Sequence, residues 1–453
     1  MKQIIIINKE NKNADKSKFN KILWDKQELI IYNSLSGKIY KTSNLNLANN
    51  IENILCNNEN TKNKKLIEFL KNNNFIVDDI YNEIVTANSV KLDKQYDKLL
   101  HLIILPTEQC NFRCKYCYED FKIGNMSKEK QDAIILFLRK NIKNYTAISL
   151  DWFGGEPLLA MDAIEYISKH ALEICRIAKK PLISSMTTNG YFLDCATFEK
   201  LSAYNLIDIQ ITIDGLKQTH DMQRVLKDGS PTFDKIINNL IEIKHHANTK
   251  FCKIYIRTNV TWDVFQSIDE IIDYFYELFG EDNRFVFYFR PVTNLGGNAI
   301  QNISEKIMSY NDFSQVYDKL IKNKKLNIGL YDRAFTPGGS ICQASLKNLF
   351  IIRSDGRINK CSDYLEWPEN QIGYLTDNGD MKINQEMQAK WICSSTDQNC
   401  FDCTYYGSCF NIGCPAKKIK ETSRTCGYEK IFQNETLLLL NAYGKIPEIL
   451  EVI

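Results

Sequence analysis

Three cysteines on one short stretch carry the first chemistry legible in this chain. Cys110, Cys114 and Cys117 stand as C-x3-C-x2-C within TEQCNFRCKYCY, directly behind an apolar run at 99–105 that reads as a buried strand. Three thiolates on one loop can hold three irons of a [4Fe-4S] cube and leave the fourth iron without a protein ligand, where a small molecule can bind. The competing reading is a zinc site. A zinc knuckle brings a fourth Cys or His at short spacing, and none stands nearby.

A second set of cysteines lies far downstream. Of fifteen in the chain, eight fall between Cys342 and Cys426: Cys342, Cys361 and Cys393, then Cys400-x2-Cys403-x5-Cys409-x4-Cys414, then Cys426. In a chain without a secretory signal this count argues for metal or cluster ligation rather than disulfides, although C-x2-C pairs also bind zinc. Cys56, Cys175, Cys195 and Cys252 are scattered and read as free thiols.

The elements that position these groups follow from periodicity. At 453 residues two to four domains are expected. Strand candidates at 99–105, 147–153, 182–187, 207–213, 253–260 and 285–289 alternate with helical patterns, such as Ile134, Ile135, Leu138 and Ile142 behind Ser127 as N-cap. That alternation predicts an α/β fold of parallel β/α units over residues 96–335, with functional groups at the C-terminal strand ends. Residues 1–95 read as a small α+β unit: apolar stretches at 28–32 and 38–41 flank a turn ending at Gly37, and the helical faces Leu47, Ile51, Ile54, Leu55 and Leu66, Phe69, Leu70 follow. Residues 336–453 form the cysteine-rich end.

Composition removes other classes. Fifty-seven Lys and Arg against 55 Asp and Glu leave a net charge of +2, which makes no electrostatic case for nucleic acid. The longest apolar runs, such as 4–7, are strand-sized, short of the ~20 residues of a membrane span. A cytoplasmic location is the expectation.

Strand ends then supply the remaining candidates. After the second strand stands Gly154-Gly155-Glu156-Pro157, where two glycines let backbone approach a ligand and a carboxylate suits an ammonium. After the third comes Thr188-Asn189-Gly190. The fourth ends in Thr212-Ile213-Asp214-Gly215, followed by His220, which reads as structural, and Arg224, whose fork suits a carboxylate.

With the cysteine triad, this GGEP turn resembles the radical S-adenosylmethionine (SAM) superfamily. The resemblance implies a partial (β/α)6 TIM-like barrel and a [4Fe-4S] cluster on Cys110, Cys114 and Cys117 whose open iron chelates SAM. Tyr116 would lie beside the adenine, Gly154, Gly155 and Glu156 would meet the SAM amino group, and Thr212 and Arg224 would contact its ribose or carboxylate. SAM would be cleaved to a 5'-deoxyadenosyl radical, with electrons from a flavodoxin or ferredoxin. The C-terminal block resembles the SPASM domain, which implies two auxiliary [4Fe-4S] clusters: a nearer one on Cys342, Cys361 and Cys414, and an outer one on Cys400, Cys403, Cys409 and Cys426. Some relatives have a further cysteine where this chain has Asn348, so the nearer cluster keeps a corner for a substrate thiolate or for Cys393. Asp363 lies two residues after Cys361, near where sulfatase-maturing relatives place an acidic proton acceptor. The N-terminal unit has a winged-helix-like outline resembling the peptide-recognition domains of radical SAM peptide maturases, and would take a leader peptide as an added strand. The implied activity is installation of a crosslink, a Cys thioether as in ranthipeptide or sactipeptide maturation, in a ribosomally synthesised precursor peptide. The alternatives are a sulfatase-maturing oxidase and a zinc-binding interaction protein.

Overall fold

The computed structural model describes residues 15–57, 61–295, 297, 299–329, 331–393, 398–421 and 426–449. The apolar run at 4–7 lies outside them. The N-terminal unit opens with β1 (Asp15–Lys16) and an antiparallel meander, β2 (Asn20–Asp25), β3 (Glu28–Asn33) and β4 (Lys38–Thr42). Helices Leu45–Asn57 and Lys64–Asn72 cover it, and β5 (Ile76–Val77) returns to pair with β1. Leu29, Ile31, Ile51, Leu66, Leu70 and Phe75 form its core, which Ile449 from the far end of the chain completes. A long helix, Ile80–Gln95, leads to the barrel.

Six parallel strands follow in chain order: β6 (Leu99–Ile104), β7 (Ala147–Trp152), β8 (Leu182–Thr188), β9 (Leu206–Thr212), β10 (Lys253–Val260) and β11 (Phe285–Pro291). Alternate residues serve opposite faces. Leu100, Leu102, Ile148, Leu150, Ile209, Ile211, Ile254, Ile256 and Phe287 pack into the main core with the connecting helices, including Lys128–Asn141, Met161–Ala178, Phe233–His246 and Ile268–Phe279. The other face is polar: Asp151 bonds to His101, Ser149 and Ser185, and Tyr288 donates to Gln210. Ser127 caps its helix as expected, its hydroxyl accepting from Lys130 N.

The cysteine-rich end is not a separate layer. β12 (Leu349–Ile352) runs parallel to β6 and carries the antiparallel strands β13 (Arg357–Asn359), β14 (Gln371–Leu375) and β15 (Met381–Ile383), so one ten-stranded sheet crosses the boundary expected at 335/336. Among the described residues no helix is long and apolar enough to cross a membrane.

Candidate active site

The cysteine loop leaves the C-terminal end of β6 and is stitched to the segment after β9. Arg113 N donates to Val225 O at 2.8 Å, Lys115 N to Gln223 O at 3.0 Å, and Lys227 N to Asn111 O at 2.8 Å. On the β7 side, Glu156 N donates to Gln109 O at 2.9 Å. Gly154, at φ +125°, and Gly155 lie so close to this loop that a Cβ on them would fall 2.3 Å from Thr107 O and 2.4 Å from Gln109 O respectively, so both positions require glycine.

Glu156 is fully buried and ties three strand ends together. Its Oε1 accepts from Leu158 N at 3.0 Å and Thr188 Oγ1 at 2.7 Å, and its Oε2 from Asn189 N at 2.7 Å. Burial still holds its pKa above the usual carboxylate range. Asn189 Nδ2 donates to Asn111 Oδ1 at 2.8 Å and stands 4.0 Å from Cys110 Sγ. The TNG turn is thus part of the site.

Burial pushes all three thiols up. Cys117 reaches about 12, with Cys114 and Glu119 adding to the shift; Cys110 goes further, with Glu156 adding; Cys114 also rises, although Arg224 opposes it. Such thiols become thiolates only against strong local positive charge, which a metal centre supplies. Arg224 Nε, Asn111 Nδ2 and Gln223 Oε1 are buried around the same loop with no hydrogen-bond partner among the described residues. An orphaned buried polar atom costs about 1–3 kcal/mol, and three at one loop mark the seat of a polar ligand. The donor set and these orphans fit a cluster on the three cysteines with SAM beside it. Among the described residues no three His, Cys, Asp or Glu side chains converge as a ready-made site for a metal ion, the three cysteines included.

A second network closes the site over β9 and β10. The Tyr116 hydroxyl donates to Asp214 and accepts from Arg224 Nη1 at 2.7 Å and Asn259 Nδ2 at 3.0 Å. Asn259 N also donates to Asp214 Oδ1 at 2.8 Å. Thr212, buried at the end of β9, lies two residues before Asp214. His220 is structural: its Nδ1 faces Asp214 N at 3.2 Å and its Nε2 faces Thr232 Oγ1 at 3.1 Å, while burial keeps its pKa well below the usual value. Asn259 was missing from the sequence reading; a polar residue at the end of the apolar run KIYIRTNV was the available signal.

Residues 104–281 match the radical SAM superfamily. The chain therefore carries a radical SAM domain. It is 23% identical over 352 residues to the cysteine-type anaerobic sulfatase-maturating enzyme of Clostridium novyi, covering 71% of this chain and 89% of that one. It is 21% identical over 444 residues to the radical SAM cyclopropyl synthase TigE of Paramaledivibacter caminithermalis, covering 87% and 88%. In fold it resembles the solved structure of anSMEcpe with bound AdoMet and Kp18Cys peptide, with a TM-score of 0.59 at 19% identity, covering 77% of this chain and 100% of that one.

Beyond this domain the chain gathers its C-terminal cysteines into two groups. Burial raises the pKa of Cys342 and of Cys361; Cys414 and Asp363 lie close enough to add to both, and Cys342 adds to Cys361. Cys400, Cys403, Cys409 and Cys426 line one small cavity with Tyr405 and Tyr406. Asn348, at the position of the further cysteine in some relatives, donates instead to Asp97 O at 2.6 Å. Cys393 is exposed and faces Tyr96 and Lys91. Burial raises the Asp363 pKa, partly offset by Arg257 of β10.

Proposed function

We propose that this enzyme modifies a ribosomally synthesised peptide, installing a crosslink, a Cys thioether by preference, between the first cysteine loop and the C-terminal cysteines. The observation that carries the reading is the position of Tyr118. Burial holds its phenol well above the usual range, and the charges of Asp363, Glu119, Cys117 and Cys361 add to this. Tyr118 also lines one cavity together with Asp363, so a substrate beside it would lie between the loop of Cys117 and the segment behind Cys361. Cys110, Cys114 and Cys117 would hold the cluster, and Gly154, Gly155, Glu156, Tyr116, Thr212 and Arg224 would hold and orient SAM. Bound together, that pair supplies the radical that takes a hydrogen atom from substrate. Cys342, Cys361 and Cys414 leave a corner for a substrate thiolate, Cys400, Cys403, Cys409 and Cys426 would hold an outer cluster, and Asp363 stands where a proton would be released. The three-stranded N-terminal sheet supports docking of a leader segment, and a flavodoxin or ferredoxin would deliver electrons.

A second reading, oxidation of a sulfatase Cys or Ser, is supported by the sulfatase-maturating relatives, of which the chain spans 89% and 85%. One incubation separates the two. The iron-loaded protein with SAM, reductant and whichever short Cys-bearing peptide a neighbouring reading frame encodes is expected to remove two hydrogens per crosslink. Conversion of a sulfatase-derived Cys peptide to an aldehyde, with the neighbouring peptide unchanged, would overturn the crosslinking reading.

A further inference from the structure

A cavity of ≈ 170 Å³ opens between the first cysteine loop and the segment behind Cys361, large enough for one long side chain. Tyr118, Glu119 and Phe121 wall it on one side, and Asp363, Tyr364 and Trp367 on the other. None of the residues assigned to SAM lines it.

Its charge is unbalanced. Glu108, Glu119, Asp120, Asp363 and Glu366 reach it against a single Lys122. Three of these carboxylates are already held: Glu108 and Glu366 by Arg353, and Asp120 by Lys122 at 2.8 Å. Glu119 and Asp363 are left over. The Glu119 carboxyl lines the cavity and takes no hydrogen bond or ion pair from any described residue; burial and the charge of Glu108 hold its pKa above the usual carboxylate range, with Arg353 opposing. Among the described residues Asp363 takes one side-chain hydrogen bond, from the Ser362 hydroxyl at 3.4 Å, and Arg257 offsets its charge only in part. Carboxyl groups so placed resist ionising until a cation joins them, and carboxylates beside aromatic faces are what an ammonium or guanidinium recognises. The same aromatic pair already attracts one cation, since Lys420 Nζ stands 3.7 Å from the Tyr364 ring centroid and 4.7 Å from that of Trp367.

We propose that this cavity seats a basic side chain, lysine or arginine, of the peptide substrate next to the residue being modified. The proposal rests on the peptide reading above and adds the chemical class of one substrate position. The neutral and acidic counterparts leave Glu119 and Asp363 unpaired or repelled, so discrimination by about tenfold is expected.

The test offers the iron-loaded, SAM-saturated protein a pool of random Cys-containing hexapeptides and sequences those retained. Wild type is expected to enrich Lys and Arg about tenfold over Met and Glu at one position relative to Cys. Glu119→Gln should reduce that ratio to near unity, and Glu119→Asp should keep most of it. Both ratios are internal to one protein sample, so partial loss of folded protein cancels. No basic enrichment in wild type overturns the proposal, as does equal enrichment in Glu119→Gln. Displacement of the lysine peptides by rising SAM overturns it too, because the cavity would then belong to the cofactor. Retained basic peptides that never change in mass when reductant is added would remove the maturase reading and leave the cavity's preference standing.

Discussion

The Tyr116 hydroxyl accepts a 2.7 Å hydrogen bond from Arg224 Nη1, so the residue beside Cys117 and the arginine after β9 act as one unit. The same hydroxyl donates to Asp214, which is fully buried. Tyr116→Phe removes an oxygen with three partners, leaving Arg224 Nη1 and Asn259 Nδ2 without it and Asp214 with only its bond from Asn259 N, a loss of about 1–3 kcal/mol. Its urea midpoint should fall and its SAM affinity weaken. A midpoint equal to wild type would mean that the ring merely packs.

Arg353 anchors the sheet extension to the cysteine loop. Its side chain is 1% exposed; Nε donates to Glu108 Oε1 at 3.0 Å, Nη2 to Glu108 Oε2 at 2.6 Å, and Nη1 to Leu365 O at 2.8 Å. Arg353→Met leaves the buried Glu108 carboxylate without its cation and with only the Ser354 hydroxyl, at 3.5 Å, which costs about 3–5 kcal/mol. Adding Glu108→Gln removes the stranded charge, so the double variant should unfold at higher urea than the single one. Equal midpoints would show that the pair contributes packing alone.

These two units explain what the sequence could disclose. β7, β9, β10 and β11 were legible because Leu, Ile or Phe recurs at every second position, β6 because its run is almost wholly apolar, and the C-x3-C-x2-C and GGEP patterns follow β6 and β7 directly. Helix Ile80–Gln95 was not, because the residues it buries are Glu83, Ala87 and Gln95. Their burial is met by long-range polar contacts, Glu83 with Ser17 and Gln95 Nε2 with Ile392 O at 2.9 Å, which no local pattern encodes. β2, half-buried along its whole length, carries no alternation either. Likewise, nothing within the run 349–352 tells which sheet it joins; only the register Leu349 opposite His101 does.

Thiol reactivity follows from burial. Cys175 and Cys252 are buried, and burial pushes their pKa values up to about 11 and about 12. The thiolate is the nucleophile, so at pH 8 only on the order of one in a thousand of the former is reactive, and fewer of the latter. Iodoacetamide on the anaerobic, iron-loaded protein should label Cys393 quickly and Cys56 next, both exposed, and leave Cys175 and Cys252 unlabelled until denaturant is added. Protection of Cys393 in the iron-loaded protein, with labelling after chelation, would make it a cluster ligand after all.

Iron counting separates the three cysteine sets. If Cys110, Cys114 and Cys117 hold one cluster, Cys342, Cys361 and Cys414 a second, and Cys400, Cys403, Cys409 and Cys426 a third, then Cys117→Ala, Cys361→Ala and Cys403→Ala should each lose about four irons. The consequences should differ. Cys117→Ala removes a ligand beside Tyr116 and Arg224, so SAM cleavage should vanish with the iron. Cys403 lies in the cavity with Tyr405 and Tyr406, apart from that network, so Cys403→Ala should keep SAM cleavage and lose peptide product. Cys361→Ala should also cleave SAM without product, because the cysteine set nearest Asp363 and Tyr118 is then broken. Unchanged iron in Cys361→Ala and Cys403→Ala would leave one cluster in the molecule and reduce the C-terminal cysteines to structural thiols.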